Sequence, residues 1–175
     1  PWEIRFKNAL RPGDKLATGQ TVGEDVALVE TLLAVKDIYE QNPNAGIACA
    51  MKNVGLGVGN PDTGRSVVKV EKGRVKVYTG AACIGQGLAV VLQQVACETL
   101  KIDPELVDVI LADTGCTPDS GATTASRQSL FTGEAVRIAT SKLAEDLKTH
   151  SLEELEGKSY EGEYLGATHP LNAPV

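Results

Sequence analysis

Apolar and polar positions along the chain change period several times, and each change predicts an element. The first ten residues, PWEIRFKNAL, read as a short helix stopped by Arg11-Pro12-Gly13, since proline and glycine punctuate helices. A longer helix is expected over residues 21–43. Thr21 and Glu24 have capping-box spacing, and Val26, Val29, Leu32, Leu33 and Lys36 recur at helical intervals up to the stop at Pro43. Residues 46–52 predict a strand that leads into a glycine-rich loop. Val68 and Val70, then Val75 and Val77, alternate with charges and predict a β-hairpin turning at Lys72-Gly73. Leu88, Val91, Leu92, Val95, Ala96, Thr99 and Leu100 mark one face of a helix, and Asp103-Pro104 opens a short turn. VDVILADT is a nearly continuous apolar strand, the pattern expected where both faces are covered. Leu130, Phe131, Ala135, Ile138, Ala139, Leu143 and Leu147 predict a second long helix over about 126–150. Ser151 and Glu154 repeat the capping-box spacing, and residues 158–175 read as extended and loosely organised.

The order of strand, hairpin, helix, strand and helix predicts an α+β fold, an α/β two-layer arrangement. It has a mixed sheet with two long helices packed on one side, preceded by an N-terminal helical segment. The expected division is a helical segment over 1–45, an α/β domain over 46–150 and an extended connection over 151–175. At 175 residues and 42% hydrophobic content the chain can build a core, and no apolar run is long enough to span a bilayer. It begins with Pro1 and its single methionine is Met51, so a segment of a larger protein is expected. The net charge of -6, with basic residues scattered, argues against a nucleic-acid partner. Cys49, Cys83, Cys97 and Cys116 form no CxxC pair and lie far in sequence from His150 and His169. This argues against zinc or iron–sulfur ligation within the chain and for free thiols in a reducing cytoplasm.

Three loops could carry chemistry. GNPDTGRS, residues 59–66, approaches a P-loop, but Arg65 replaces the lysine, Asp62 would repel phosphate and a strand follows where a helix is required. It reads as an approach to the hairpin. Gly85-Gln86-Gly87 joins a strand to a helix, so free N–H groups at the helix start face the turn and Gln86 adds a donor and an acceptor without charge. A simple tight turn is the competing reading. SGATTASRQ, residues 120–128, also runs into a helix. Ser126 suits the N-cap, Arg127 offers a planar fork for phosphate or carboxylate, and Gln128 can bond as Gln86 does. An ordinary capped helix with a solvated arginine competes with it. Taken together, the two loops favour a polyanionic, ring-bearing ligand held where strands give way to helices. Ser120 and His150 lack the context of a hydrolase triad, and turn chemistry explains Asp113 and Asp119 more cheaply than acid–base roles. Cys83 is either a thiol activated by the helix start or a small buried residue.

GAACIGQG followed by DTGCTPDSGATTASRQSLFTGEAVRIA resembles the molybdenum-binding subunit of the molybdenum hydroxylases, the family of xanthine dehydrogenase and aldehyde oxidoreductase. EIRFKNALRPGDKLATGQ, GIACAMKNVGLGVG and SLEELEGKSYEGEY fit the same family, so the resemblance covers nearly the whole chain. It implies that Gly85, Gln86, Gly87, Ala125, Ser126, Arg127 and Gln128 contact a molybdopterin cofactor, in its cytosine dinucleotide form, that carries molybdenum. The intact enzyme would then hydroxylate a purine, an aldehyde or an N-heterocycle with oxygen from water. Iron–sulfur clusters and FAD would lie on other domains or subunits. The chain lacks the G-x-G-E segment with the family's catalytic glutamate, and also the A-F-R-G and Q-G-G segments. A cofactor-binding portion without complete catalytic apparatus is therefore expected, with weak or no cofactor binding in isolation. The alternative from another class is a non-catalytic nucleotide- or anion-binding α/β module.

Overall fold

The computed structural model describes residues 1–17, 19–52 and 54–166. Its described residues fall into two units, Pro1–Lys52 and those between Asn53 and Thr168. In the first unit, helix α1 (Trp2–Lys7) forms where expected. Trp2 is buried with Ala9 and Leu32, stacks on Phe6 at 4.8 Å and donates its indole N–H to the Leu32 carbonyl at 2.8 Å. The long helix expected over 21–43 is instead two short ones, α2 (Leu28–Ala34) and α3 (Lys36–Gln41). No helix starts at Thr21, which bridges Lys15 in a small hairpin with Val22 N–H bonded to Asp14 O at 2.8 Å; the next helix has Ala27 as its N-cap. Residues 46–52 form no strand.

The second unit is a four-stranded mixed sheet under two helices. β1 (Asp62–Glu71) and β2 (Arg74–Thr79) are the expected hairpin, in register Val68↔Val77 and Val70↔Val75, with Gly73 at φ 68° in the turn. β1 starts at Asp62, ahead of the valine pattern, so Asp62–Arg65 belong to the strand and not to an approach loop. α4 (Leu88–Leu100) then crosses over to β3 (Val107–Leu111), which pairs parallel to β2. β3 is an edge strand with only Val107 fully buried, so its apolar run does not mean that both faces are covered. Asp108 lies on the open face and takes a bidentate bond from Arg74 at 2.7 Å.

α5 (Gln128–Asp146) is the second long helix, beginning two residues later than expected. The segment expected to be a loose tail contributes β4 (Ser159–Gly166), antiparallel to β1, which completes the order β3-β2-β1-β4. The rest of that expected tail, from 167, lies outside the described residues. The Ser151–Glu154 capping box is present: Ser151 N–H reaches the Glu154 carboxylate at 2.8 Å and Glu154 N–H reaches Ser151 Oγ at 3.3 Å. Val68, Val70, Val75, Val77 and Val107 of the sheet meet Leu88, Leu92 and Ala96 of α4 and Val136, Ala139 and Leu143 of α5 in one core. Both helix N-termini lie at the same end of this layer, beside the turn that leaves β2.

Candidate cofactor-binding site

The turn after β2 contains Gly85 and Gly87 at φ 108° and 79°, backbone that carries no Cβ penalty only for glycine. α4 begins with Gly87 as N-cap and no side-chain cap. Gln86 is exposed; its Oε1 accepts the Ile84 N–H at 2.7 Å, and its amide nitrogen has no partner among the described residues. The N–H groups of Gly85 and Leu88, helped by Gly87 and Ala89, hold the Cys83 thiol below its ordinary value. Cys83 is exposed, so it is not the small buried residue of the blander reading. The mouth of α4 stabilises negative charge.

The other wall comes from the loop before α5. Asp113 accepts the Gly115 N–H at 2.9 Å and Asp119 the Gly121 N–H at 3.0 Å, the turn chemistry expected of them. Ser120 is buried, with its Oγ 2.8 Å from Thr132 Oγ1 and accepting from Arg65 N–H at 2.9 Å. Ala125 and Ser126 are both left-handed, at φ 49° and 54°. Such backbone costs a residue with a Cβ about 1–2 kcal/mol. α5 begins at Gln128, so Ser126 is not the N-cap. Arg127 takes that position, again with no side-chain cap.

Sequence reading assigns Arg127 an exposed fork, but the side chain is fully enclosed. Its Nε donates to Asp62, which is itself only 1% exposed. Nη1 donates to the carbonyls of Ser120 at 2.8 Å and Ala122 at 3.0 Å, and Nη2 to that of Thr63 at 2.7 Å. Asp62 also accepts the Leu56 N–H at 3.0 Å, so the carboxylate expected to repel phosphate is an internal counter-ion. Removing one partner of such a pair costs about 3–5 kcal/mol, because it strands the other charge. Gln128 is engaged as well. Its Nε2 donates to Thr123 Oγ1 at 3.0 Å and its Oε1 accepts from Thr132. Thr123 in turn donates to Ala82 O at 2.7 Å, which ties the second loop to the first.

A hollow of about 450 Å³ lies between the two helix starts. Ile84, Gln86, Leu88 and Val91 form one wall and residues 123–129 the other, so Gln86, Ala125, Ser126, Arg127 and Gln128 meet there as their spacing suggests. Gly85 and Gly87 shape the turn beside it. Sequence reasoning missed the apolar wall, because Leu88 and Val91 share the periodicity of the core face. It also missed the hydroxyls of Thr123, Thr124 and Ser129, which carry no motif. Arg127 is the one basic residue in the lining, and its charge is internally paired.

Residues 35–167 match the family model described as the molybdopterin cofactor-binding domain. The chain is 31% identical over 158 residues to an aldehyde oxidoreductase of Megalodesulfovibrio gigas, covering 82% of this chain and 17% of that protein. It is 32% identical over 168 residues to the xanthine dehydrogenase molybdenum-binding subunit of Escherichia coli O157:H7, covering 86% and 22%. The solved aldehyde oxidoreductase from Desulfovibrio gigas superposes with a TM-score of 0.71 at 27% identity, over 95% of this chain and 21% of that one. A Cu,Mo-CO dehydrogenase at 16% identity and TM-score 0.62 shares the fold. The chain thus spans about a fifth of the length of these relatives. With its residues matched over most of their number, the chain belongs to the molybdopterin cofactor-binding domain family.

Proposed function

We propose that the hollow between the starts of α4 and α5 holds part of a molybdopterin cofactor in its cytosine dinucleotide form. The observation that carries this reading is that two helix N-termini without side-chain caps open onto one hollow. Their first-turn N–H groups have no intrahelical acceptors, so they suit an anion such as a pyrophosphate. The apolar wall of Ile84, Leu88 and Val91 faces hydroxyls and the Gln86 amide, which suits a flat heterocycle with polar edges. The residues fit the group. Gln86 would bond a ring edge, and the backbone of Gly85–Gly87 and Ala125–Gln128 would hold the phosphates.

When bound, the cofactor supplies a redox centre through which a substrate carbon gains oxygen derived from water. This chain's share is to bind, orient and exclude solvent. We assign it to a larger molybdenum subunit that hydroxylates a purine, an aldehyde or an N-heterocycle, working with iron–sulfur and flavin domains or subunits. A cytoplasmic setting agrees with four free cysteines, and no helix among the described residues is long and apolar enough to cross a membrane.

The test is to purify the intact subunit that contains this chain, measure molybdenum by mass spectrometry, and release the nucleotide by acid hydrolysis. Molybdenum, pterin and cytidine monophosphate in equal amounts are expected. Fully loaded material that yields a nucleotide but neither molybdenum nor pterin would support the simple nucleotide-binding module and overturn the reading.

A further inference from the structure

The loop that precedes α5 is wrapped around the first cation of its own helix. Ser120 and Ala122 turn their carbonyls onto Arg127 Nη1, and Gly121 lies against the same guanidinium, where a Cβ would come within 3.2 Å of Nη1 and 3.3 Å of Nη2. Thr63 and Asp62, at the start of β1, close the ring from the other side. Four of the five guanidinium donors' bonding directions are accounted for by these named acceptors, at full enclosure. Directly between this hub and the helix stand Ala125 and Ser126, held in left-handed backbone that neither side chain favours. Ser126 is exposed and makes no side-chain bond among the described residues that would fix it. Ala125 is anchored through its carbonyl, which accepts the Gly55 N–H at 3.2 Å, and Arg127 N–H closes a turn onto Thr124 O at 3.2 Å. The hub supplies the fixed points between which this unfavourable turn is stretched.

We infer that Arg127 is a positioning residue. Its enclosed guanidinium, locked to Asp62, holds Ala125 and Ser126 in the left-handed turn that presents their backbone N–H groups to the hollow, and it touches no ligand itself. The inference rests on the cofactor-site reading for its functional consequence but not for its structural part. The two roles open to Arg127 predict opposite signs for one substitution. If the guanidinium gripped a phosphate, Asp62 would be a competitor, and Asp62→Asn would strengthen anion binding. If it positions the loop, Asp62→Asn loosens the hub and weakens binding, as Arg127→Lys does.

The experiment uses the full chain and cytidine diphosphate as probe, titrated by NMR. Ligand-free intraresidue HN–Hα nuclear Overhauser effects of Ala125 and Ser126 report the sign of φ, because these two protons lie closer together in left-handed backbone than at negative φ. In both Arg127→Lys and Asp62→Asn these effects should weaken towards the values of ordinary negative-φ backbone while the signals of Leu92 and Leu143 in the core stay in place. Affinity for cytidine diphosphate should fall roughly tenfold in each variant, the loss of about one charged hydrogen bond's worth of organisation. Unchanged intraresidue HN–Hα effects in either folded variant, or tighter binding in Asp62→Asn, would overturn the inference. Asp62→Asn keeps an acceptor opposite Arg127, so it preserves a folded test should Arg127→Lys fail to fold. A wild-type chain that shows the strong left-handed effects but no response to the probe would count against the ligand reading alone, and the effects in the variants would still decide the role of Arg127.

Discussion

Gly64 on β1 and Gly162 on β4 let α5 lie directly on the sheet, and replacing either with alanine should unseat it. A Cβ at Gly64 would stand 2.0 Å from the Phe131 carbonyl oxygen and 2.8 Å from Thr132 N, and one at Gly162 would stand 1.9 Å from the Ala135 oxygen. Neither glycine has left-handed backbone, so closeness to the helix is the constraint. Ordinary contact begins near 3.4 Å, so α5 must retreat by more than 1 Å. The obstructing atoms are helix backbone and cannot rotate aside. Overpacking a core costs about 1–3 kcal/mol, and a backbone clash belongs at the upper end. The smaller entropy of an unfolded alanine chain returns about 0.4–1 kcal/mol. A net loss of about 2–3 kcal/mol lowers the melting temperature of a chain this size by roughly 4–12 °C. Circular dichroism melts of Gly64→Ala and Gly162→Ala test this, with Gly46→Ala as control because its Cβ would meet nothing within 4 Å. Only Gly64 lies under the first turn of α5, so Gly64→Ala should also shift the amide signals of Ala125–Gln128. Melts within about 2 °C of wild type for both variants would refute the reasoning.

Cys83 should be alkylated by iodoacetamide faster than Cys116 at neutral pH. Backbone N–H groups lower its value, whereas desolvation by neighbouring atoms and the bond to Asp113 push the exposed Cys116 thiol up. Peptide mapping by mass spectrometry that finds Cys116 modified first would contradict this. Glu156 accepts the N–H groups of Lys72 at 2.8 Å and Gly73 at 3.2 Å, and those bonds, Lys72 first, hold its carboxyl below the ordinary range. The stabilisation is present above the unfolded carboxyl value and is lost as pH falls through the lowered folded one. Glu156→Gln should therefore lose stability at neutral pH and show a shallower decline between about pH 5 and 3. Denaturation curves that stay parallel to wild type across that range would sink the prediction.

Sequence periodicity located the elements whose cores are local. Val68, Val70, Val75 and Val77 announce the hairpin, and the spacing of Leu88, Leu92 and Ala96 announces α4, because alternation and helical repeat are recorded in consecutive residues. β4 was hidden because EGEY places charges on its open side and glycine where α5 presses, so the contact that makes it a strand belongs to another element. The expected helix over 21–43 starts only at Leu28, because the chain around Thr21 turns back in a small hairpin onto Lys15, a pairing that capping-box spacing does not record. Edge or centre for β3 also depends on which strands lie beside it, and an apolar run cannot record that.

The same division runs through the site. Glycines and small residues before a helix are legible as backbone donors, since the helix start itself leaves those groups without partners. The destination of a long charged side chain is decided by whatever lies within its reach. Arg127 finds Asp62, 65 positions away in sequence, and once paired it is worth more as an internal cross-link than as a surface fork. An arginine just before a helix therefore does not by itself mark a side chain that faces a ligand. In this fold the hollow carries no unpaired cation in its lining. On the reading proposed above, a phosphate in this hollow is held by oriented N–H groups, whose strength depends on how rigidly the left-handed turn is kept, and that rigidity traces back to the buried Arg127–Asp62 pair.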